Sequence, residues 1–387
     1  MNQIIKNARI VLKDEVVRGS VQFSGGIIQS VDTGVCNVTN AIDFEDDYLL
    51  PGFVELHTDN LEKELEPRPG VFWPDPLSAV VAHDAQMISA GITTVLDAVS
   101  LGEYHDGPNR SKMMGMSIKA LQKARNTGVL RADHKLHLRC EYPDPKVLDM
   151  LTPHIDDDEL LLVSLMDHTP GQRQWMNTDV YRRHHQSQGW SDEEFAELSR
   201  KMIATQQQYA AHNREQIVSL CHARSIPLAS HDDTIPEHIE QAIQERIAIS
   251  EFPTTRVAAA LAREAGVCIV MGGPNVVRGG SHSGNVSAGE LAAEGLLDVL
   301  SSDYVPGSLV SGVFRLHREL SMSLPEAVVT ISRNPAKAVG LVDRGEIREG
   351  LRADIVRVRE VESVPIVLQA WSVGKKNKSE ITAKNAA

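Results

Sequence analysis

The stretch LLPGFVELHTDN, residues 49–60, is a short apolar run that ends in polar residues. Side chains two positions apart in a β-strand point to the same face, so His57 and Asp59 would be directed to one point. A histidine and a carboxylate that converge in this way suit a divalent cation, although a buried ion pair or a plain hydrogen bond uses the same residues. The choice between these interpretations depends on the rest of the sequence.

The composition indicates a globular protein. The 387 residues are 42% hydrophobic and 24% charged, with a formal charge of −13 that argues against a nucleic-acid-binding surface. The amino terminus has no signal-peptide core, and no apolar run approaches the ~20 residues of a membrane span. Four scattered cysteines without a CxxC pair are typical of a reducing compartment. We therefore predict a cytoplasmic protein with neither a membrane nor a nucleic-acid partner.

Strand-like apolar runs alternate with helical stretches through most of the chain. We expect strands at 53–58, 92–98, 136–141, 160–167, 226–231, 247–252, 267–272 and 297–303. We expect helices at 77–90, 111–127, 145–151, 192–224, 236–245, 255–266 and 287–295. Eight such units predict the α/β class and a parallel sheet closed as a TIM-like (β/α)₈ barrel.

The two ends of the chain have a different character. Short strand-like runs with glycine at the turns occupy residues 2–50, and a similar pattern returns at 345–360. We predict a small β-sandwich domain composed of 1–50 and 341–375, with the barrel over 51–340. The polar residues 376–387 are expected to be a disordered tail.

Metal-capable side chains recur where the predicted barrel strands end, which is where such barrels place catalytic groups. Taken singly, a buried histidine is more often a core residue, and an aspartate at a strand end is often a helix cap. Three histidines and several acids at one rim instead predict two divalent ions with water between them, and Asp303 as the base. These strand-end residues are His57, Asp59, Glu141, Asp167, His168, His231, Asp232, Asp233, Glu251 and Asp303.

A glycine-rich stretch, GGPNVVRGGSHSGN at 272–285, indicates an anion site after the seventh strand. Glycines let backbone N–H groups approach an anion, but an irregular loop that needs glycine for its turns explains the stretch equally well. Cations also occur in LEKELEPRPGVFWP (61–74) and in the long polar interval 168–225. The predicted anion contacts are Lys63, Arg173, Arg278, Gly279, Gly280, Ser281 and His282.

LLPGFVELHTDN resembles the first-strand signature of the amidohydrolase superfamily. The motifs DHTPGQRQW, SHDDT, EFPTT, GGSHSGNVSA and SSDYVPGSL resemble, more specifically, the ribose triphosphate diphosphatase family of the carbon–phosphorus lyase pathway. The resemblance implies hydrolysis of a methylphosphonate-bearing ribose 5-triphosphate to pyrophosphate and the 5-phosphate. It also implies that His57, Asp59, Glu141, His168 and His231 bind metal and that Asp303 is catalytic.

The sequence departs from the superfamily pattern at one ligand. Asp59 stands where the usual first-strand pair has a second histidine, which shifts the expected metal towards manganese; zinc or manganese, one or two ions per chain, is the prediction. The partner is then an anionic ribose triphosphate, and the oligomeric state stays open, a homo-oligomer included. Two other functions remain: a C–N hydrolase, which the low aromatic content of 4% disfavours, and a scaffold subunit without catalysis.

Overall fold

The computed structural model describes residues 2–102, 110–185, 189–281 and 284–373. The strands are β1 (Asn2–Val11), β2 (Val16–Ser24), β3 (Ile27–Thr33), β4 (Ile42–Asp43), β5 (Tyr48–Pro51), β6 (Phe53–Thr58), β7 (Ile92–Leu101), β8 (Asp133–Glu141), β9 (Leu160–Met166), β10 (Leu228–His231), β11 (Ile249–Glu251), β12 (Cys268–Gly272), β13 (Val299–Ser301), β14 (Ile355–Val361) and β15 (Val364–Trp371). The α-helices are α1 (Asn60–Leu65), α2 (Pro76–Ser89), α3 (Arg110–Thr127), α4 (Val147–Leu151), α5 (Thr178–His184), α6 (Asp192–His222), α7 (Pro236–Gln244), α8 (Arg256–Glu264), α9 (Gly273–Arg278), α10 (Ala288–Ala293), α11 (Ser308–Glu319), α12 (Leu324–Val329) and α13 (Arg333–Ala338).

Eight parallel strands form one sheet in the order β13-β12-β11-β10-β9-β8-β7-β6, the near-barrel that the alternating pattern predicts. The strands predicted at 53–58, 160–167 and 267–272 agree with the observed strands to within one residue at each end. The predicted helices are likewise confirmed, with the largest differences at their ends, where helices fray. A parallel bridge joins Thr58, the last residue of β6, to Asp303, which lies two residues after β13.

The chain divides into two compact units. The first comprises Met1–Leu96, Lys119–His134 and Ser301–Ala387, and the second comprises Asp97–Ile118 and Lys135–Leu300.

In the first unit, strands from both ends of the chain form a mixed sheet in the order β15-β14-β5-β1-β2-β3, with β4 beside β1. Its core contains Ile5, Ile10 and Phe44, all fully buried, and the ring of Trp371 stacks on Phe44 at 5.8 Å. The participation of both chain ends confirms that part of the fold prediction. The predicted domain limits stay a prediction, and the tail at 376–387 lies outside the described residues.

In the second unit, parallel ladders join β8 to β9, β9 to β10, β10 to β11 and β11 to β12, over a core that includes Leu138, Val163 and Leu165. Its helices begin where the side chains favour a start: Ser191 and Glu194 form a capping box at α6, and Pro236 opens α7. Parallel strands that are buried on both faces explain the continuous apolar runs of the sequence.

The four cysteines are free, as their scattered positions predict. Burial raises the pKa of the Cys221 and Cys268 thiols to about 12, so both are protonated at neutral pH. In the part of the chain that the structure describes, no helix is long and apolar enough to cross a membrane.

Candidate active site

Three side chains of the first unit form what we call the first donor set: His57, Asp59 and Asp303. Each offers one ligand atom, and these atoms lie within 4.8 Å of one another. Nε2 of His57 is 3.8 Å from Oδ1 of Asp59. This distance confirms the prediction that the two side chains point to the same place at the end of β6. The backbone fixes the third member, because the N–H of Asp303 donates to the carbonyl of His57 at 3.0 Å.

Glu55 is a fully buried acid that supports the first donor set from one side of β6. Its carboxylate accepts hydrogen bonds from the backbone N–H groups of His57 at 2.7 Å and Ser302 at 2.6 Å, and from the hydroxyl of Ser301. Burial raises the pKa of Glu55, against the effect of these donors. The sequence analysis did not assign Glu55 a role, although its position two residues before His57 placed it on the same face of the strand.

Three side chains of the second unit form the second donor set: His168, His231 and Asp232. Their ligand atoms also lie within 4.8 Å of one another, and Nε2 of His231 is 3.7 Å from Oδ2 of Asp232. Asp232 has a positive φ of 56°, a conformation that is uncommon outside glycine and that aspartate tolerates better than most residues. Sequence reasoning placed all three at strand ends but assigned no role to Asp232.

A buried acid contacts each histidine of the second donor set. Oε2 of Glu141 is 2.6 Å from Nδ1 of His168, and Oε1 accepts the backbone N–H of the same residue at 2.7 Å. Burial by itself lowers the pKa of His168, but the charge and hydrogen bond of Glu141 outweigh it and the pKa is raised. Glu141 was predicted to bind metal; here both of its oxygens face His168, and its role as a ligand stays a prediction.

Glu251 has the corresponding position beside His231. Its Oε2 is 3.3 Å from Nδ1 of His231 and accepts the hydroxyl of Ser164 at 2.6 Å. Because that hydroxyl proton is directed to Glu251, a lone pair of Ser164 is left to accept Nε2–H of His137 at 2.6 Å. A carboxylate on one imidazole nitrogen leaves the other nitrogen available to a metal, which is the usual support of a histidine ligand.

The glycine-rich stretch is only partly a loop. The expectation of an irregular loop over 272–285 is wrong for Gly273–Arg278, which is a short helix that ends at Gly279 with a φ of 78°. Asn275 joins this helix to the residues that follow the glycine-rich stretch. Its side-chain amide accepts the N–H of Ala288 at 2.9 Å and donates to the carbonyl of Val286. Helices often end at a residue with a left-handed backbone, and glycine adopts that conformation most easily. The presence of glycine therefore does not distinguish the end of a helix from a loop.

The predicted anion contacts occupy different environments. Arg278 is exposed and makes no side-chain hydrogen bond or ion pair among the described residues, whereas Ser281 is half-buried. Lys63 is exposed and donates to the carbonyl of Tyr304 at 2.6 Å, beside Asp303 in the sequence. Arg173 is buried, 3% exposed, with Nη1 2.5 Å from Oδ1 of Asp233. Gly279 and Gly280 follow α9, and His282 lies outside the described residues.

The donor chemistry of both sets fits a divalent cation. Imidazole nitrogens together with carboxylate oxygens suit zinc, and the larger share of oxygen in the first donor set also suits manganese. A cluster of acids alone would be ordinary at a protein surface, but most of these side chains are buried and the histidines have carboxylate partners.

Comparison with known proteins identifies one curated relative. No family model matches the chain. One curated protein, the Alpha-D-ribose 1-methylphosphonate 5-triphosphate diphosphatase of Escherichia coli (strain K12), is 44% identical over 376 residues, which are 96% of this chain and 99% of that protein.

Solved structures of other hydrolases share the fold. The β-aspartyl dipeptidase of Fervidobacterium islandicum-AW-1 has a TM-score of 0.64 at 16% identity and covers 97% of this chain and 96% of its own. The N-acetylglucosamine-6-phosphate deacetylase of Pasteurella multocida has a TM-score of 0.60 at 14% identity, with coverages of 97% and 100%. At such identities the likeness concerns the fold alone. The identity to the curated relative, by contrast, extends over nearly the whole of both chains, and the chain therefore belongs to the α-D-ribose 1-methylphosphonate 5-triphosphate diphosphatase family.

Proposed function

We propose that this hydrolase cleaves the phosphoanhydride of α-D-ribose 1-methylphosphonate 5-triphosphate and releases pyrophosphate and the 5-phosphate in phosphonate utilisation. The observation that carries the proposal is the 44% identity to a diphosphatase of that name over 96% of the chain. Two sets of histidine and aspartate donors, one in each unit, carry the groups that metal-assisted hydrolysis of an anhydride needs.

The first donor set would hold a divalent ion through His57 and Asp59, and the second through His168, His231 and Asp232, with Glu141 as a further candidate ligand. We infer one or two ions per chain, zinc or manganese. A bound divalent ion lowers the pKa of a coordinated water and withdraws charge from a phosphate oxygen.

Asp303 is the residue that we propose as the general base. Its side chain is half-buried, so a water can reach it, and its backbone is held by hydrogen bonds in both directions, to His57 and from the N–H of Asp59 at 3.1 Å. In the reaction, the water oxygen forms a bond to the α or the β phosphorus, Asp303 accepts the water proton, and the anhydride bond between that phosphorus and the oxygen that bridges α and β breaks, which separates pyrophosphate from the 5-phosphate.

Binding of the polyphosphate requires cationic side chains without an acidic partner, together with N–H donors. Arg278 supports this role because it is exposed and has no ion-pair partner among the described residues. It is followed in the chain by Gly279, Gly280, Ser281 and His282. Lys63 is a second candidate cation and lies beside Tyr304. These residues are our candidates for the contacts that orient the triphosphate and stabilise its charge.

Phosphorus NMR of the purified, metal-supplemented protein tests the proposal. The ribose methylphosphonate 5-triphosphate is supplied in one sample and ATP in another. The proposal expects signals of pyrophosphate and a 5-monophosphate, with faster turnover of the ribose methylphosphonate compound. An unchanged spectrum with metal bound would transfer the assignment to another hydrolytic reaction, such as cleavage of a C–N bond.

A further inference from the structure

Arg173 and Asp233 form a buried ion pair next to the second donor set. Arg173 is 3% exposed and Asp233 is fully buried, and Nη1 of the arginine lies 2.5 Å from Oδ1 of the aspartate. Nη2 lies 3.5 Å from the amide oxygen of Gln241. The guanidinium is buried and both of its Nη atoms face internal acceptors, so a phosphate, which needs several of its donors at once, has little access to it.

Asp233 is the junction of a hydrogen-bond network that begins at Arg173. Its second oxygen accepts the hydroxyls of Ser230 at 2.5 Å and Ser250 at 2.6 Å, and its carbonyl accepts the N–H of Thr254 at 2.8 Å. The carboxylate therefore holds β10 and β11 together, and the backbone carbonyl of the same residue holds the segment after β11. A charge buried this deeply requires a charged partner, and Arg173 is its partner in the described structure.

The turn that carries the donors lies directly before Asp233. His231 ends β10, and Asp232 follows with a left-handed backbone and donates its N–H to the carbonyl of Glu251 at 2.9 Å. A non-glycine residue in this conformation costs of order 1–3 kcal/mol and persists only where the surroundings fix it. Asp233 is the adjacent residue that supplies such fixation.

Arg173 is itself held in a defined position. It opens the short 3₁₀ helix Arg173–Trp175 with a φ of 47°, and the N–H of Gly171 donates to the carbonyl of Trp175 at 2.9 Å. This segment follows His168 in the chain, so the arginine ties the loop after one donor to the turn that carries the other two.

We propose that Arg173 is a positioning residue for the second donor set. It neutralises Asp233 and so fixes the backbone turn that presents His231 and Asp232, and it does not contact the triphosphate. This inference rests on the proposed metal-dependent hydrolysis, and it replaces the sequence-based assignment of Arg173 as a substrate contact.

The test compares Arg173→Ala and Arg173→Lys with wild type, using zinc alone. Competition with a chromophoric chelator measures the zinc affinity, and steady-state kinetics measure KM for the triphosphate. We expect Arg173→Ala to weaken zinc binding by roughly 10–100-fold, the range for residues that support metal ligands, with KM at saturating zinc within about twofold of wild type. Arg173→Lys, which keeps the charge, should recover part of the affinity.

Lys135→Ala is the matched control. It breaks another partly buried ion pair of the same unit, in which Nζ of Lys135 lies 2.6 Å from Glu159 near the amino end of β8. It should lower Tm and leave the zinc affinity unchanged. If Arg173→Ala does not fold, Arg173→Lys decides the question, because loss of the planar fork should still weaken zinc binding several-fold.

Wild-type zinc affinity in the folded Arg173 variants, with KM raised tenfold or more, would overturn the inference and restore the substrate contact. Wild-type zinc affinity with unchanged KM would overturn it as well. The zinc measurement needs no substrate. Failure of wild type to cleave the triphosphate would therefore refute the proposed function separately from the role of Arg173.

Discussion

The two donor sets are supported by buried acids in different ways. In the first, Glu55 accepts backbone N–H groups and the hydroxyl of Ser301 and so fixes the course of the chain through His57 and Ser302. In the second, Glu141 and Glu251 contact the imidazole rings themselves at Nδ1. In the first set a buried carboxylate fixes the backbone, whereas in the second set the carboxylates also fix the orientation and tautomers of the imidazole rings.

This difference indicates a division of labour between the two sets. Asp59 and Asp303 are half-buried, their backbone is held, and their carboxylates can exchange protons with water. His168 and His231 are oriented by charged partners, an arrangement that favours a permanent ligand. The first set is therefore better suited to proton transfer and the second to tight binding of an ion. The predictions that follow test this division.

The largest effect is expected for Asp303→Asn. The amide cannot accept the proton of the attacking water, so kcat should fall by about 10³-fold, within the range of general-base catalysis. Zinc affinity and the circular dichroism spectrum should stay close to those of wild type. Substantial activity in this variant would remove Asp303 from its catalytic role and with it the contrast between the two sets.

Glu251→Gln addresses the ring support of the second set. The amide removes the negative charge beside Nδ1 of His231, so zinc should bind roughly 10–100-fold more weakly, as competition with a chelator would measure. Glu159→Gln is the control, because that acid is charge-paired with Lys135 and lies directly before β9, whereas His168 follows the other end of that strand. Equal affinities in the two variants would contradict a specific role for Glu251.

Arg278→Ala tests a contact outside both sets. Loss of one charge-assisted hydrogen bond to a phosphate should raise KM for the triphosphate by roughly tenfold, with little change in zinc affinity. Arg200→Ala removes an exposed arginine of α6 that pairs with Glu197, and its kinetics should be those of wild type. An unchanged KM in Arg278→Ala would make the glycine-rich stretch a structural turn only.

The sequence predicts the strand ends well because each apolar run has a clear limit. His57, Asp59, His168 and His231 end or follow buried strands, and their order along the chain places them at the carboxyl ends of a parallel sheet. The alternation of strands and helices predicts the near-barrel for the same reason, since fully buried parallel strands read as continuous apolar runs.

The partners of a buried charge are much harder to predict. Nothing in the local sequence of DHTPGQRQW shows that Arg173 pairs with Asp233, sixty positions later, because that contact depends on tertiary packing. Glycine and arginine together suit phosphate binding. Their presence likewise does not show whether Gly273–Arg278 is a short helix or a loop. Residue types indicate the chemistry, whereas burial decides which charges are available to a ligand.

The smallest effect on catalysis is expected for Asp84→Asn, at a carboxylate–histidine pair outside both donor sets. Asp84 is fully buried, lies 3.3 Å from Nε2 of His134, and accepts the backbone N–H of Ala132 at 2.9 Å and Nε of Arg131 at 3.0 Å. Burial raises the pKa of Asp84, but these partners outweigh it and the pKa is lowered below its ordinary 3.8. Because the pKa of Asp84 is lower in the folded than in the unfolded protein, its charged form stabilises the fold at pH values above the unfolded-state pKa. This stabilisation is lost as the pH falls through the folded-state pKa.

Denaturant unfolding of wild type and Asp84→Asn from pH 7 to pH 2.5 measures this contribution. The variant should be less stable by about 1–3 kcal/mol at pH 7, because a buried hydrogen-bond acceptor is weakened. The difference should be constant above about pH 5 and should shrink as pH falls below 3.8. Zinc affinity and kcat should not change. A loss of zinc affinity would show that the pairing of Asp84 with a histidine also supports metal binding. Support of metal binding would then not be restricted to Glu141 and Glu251.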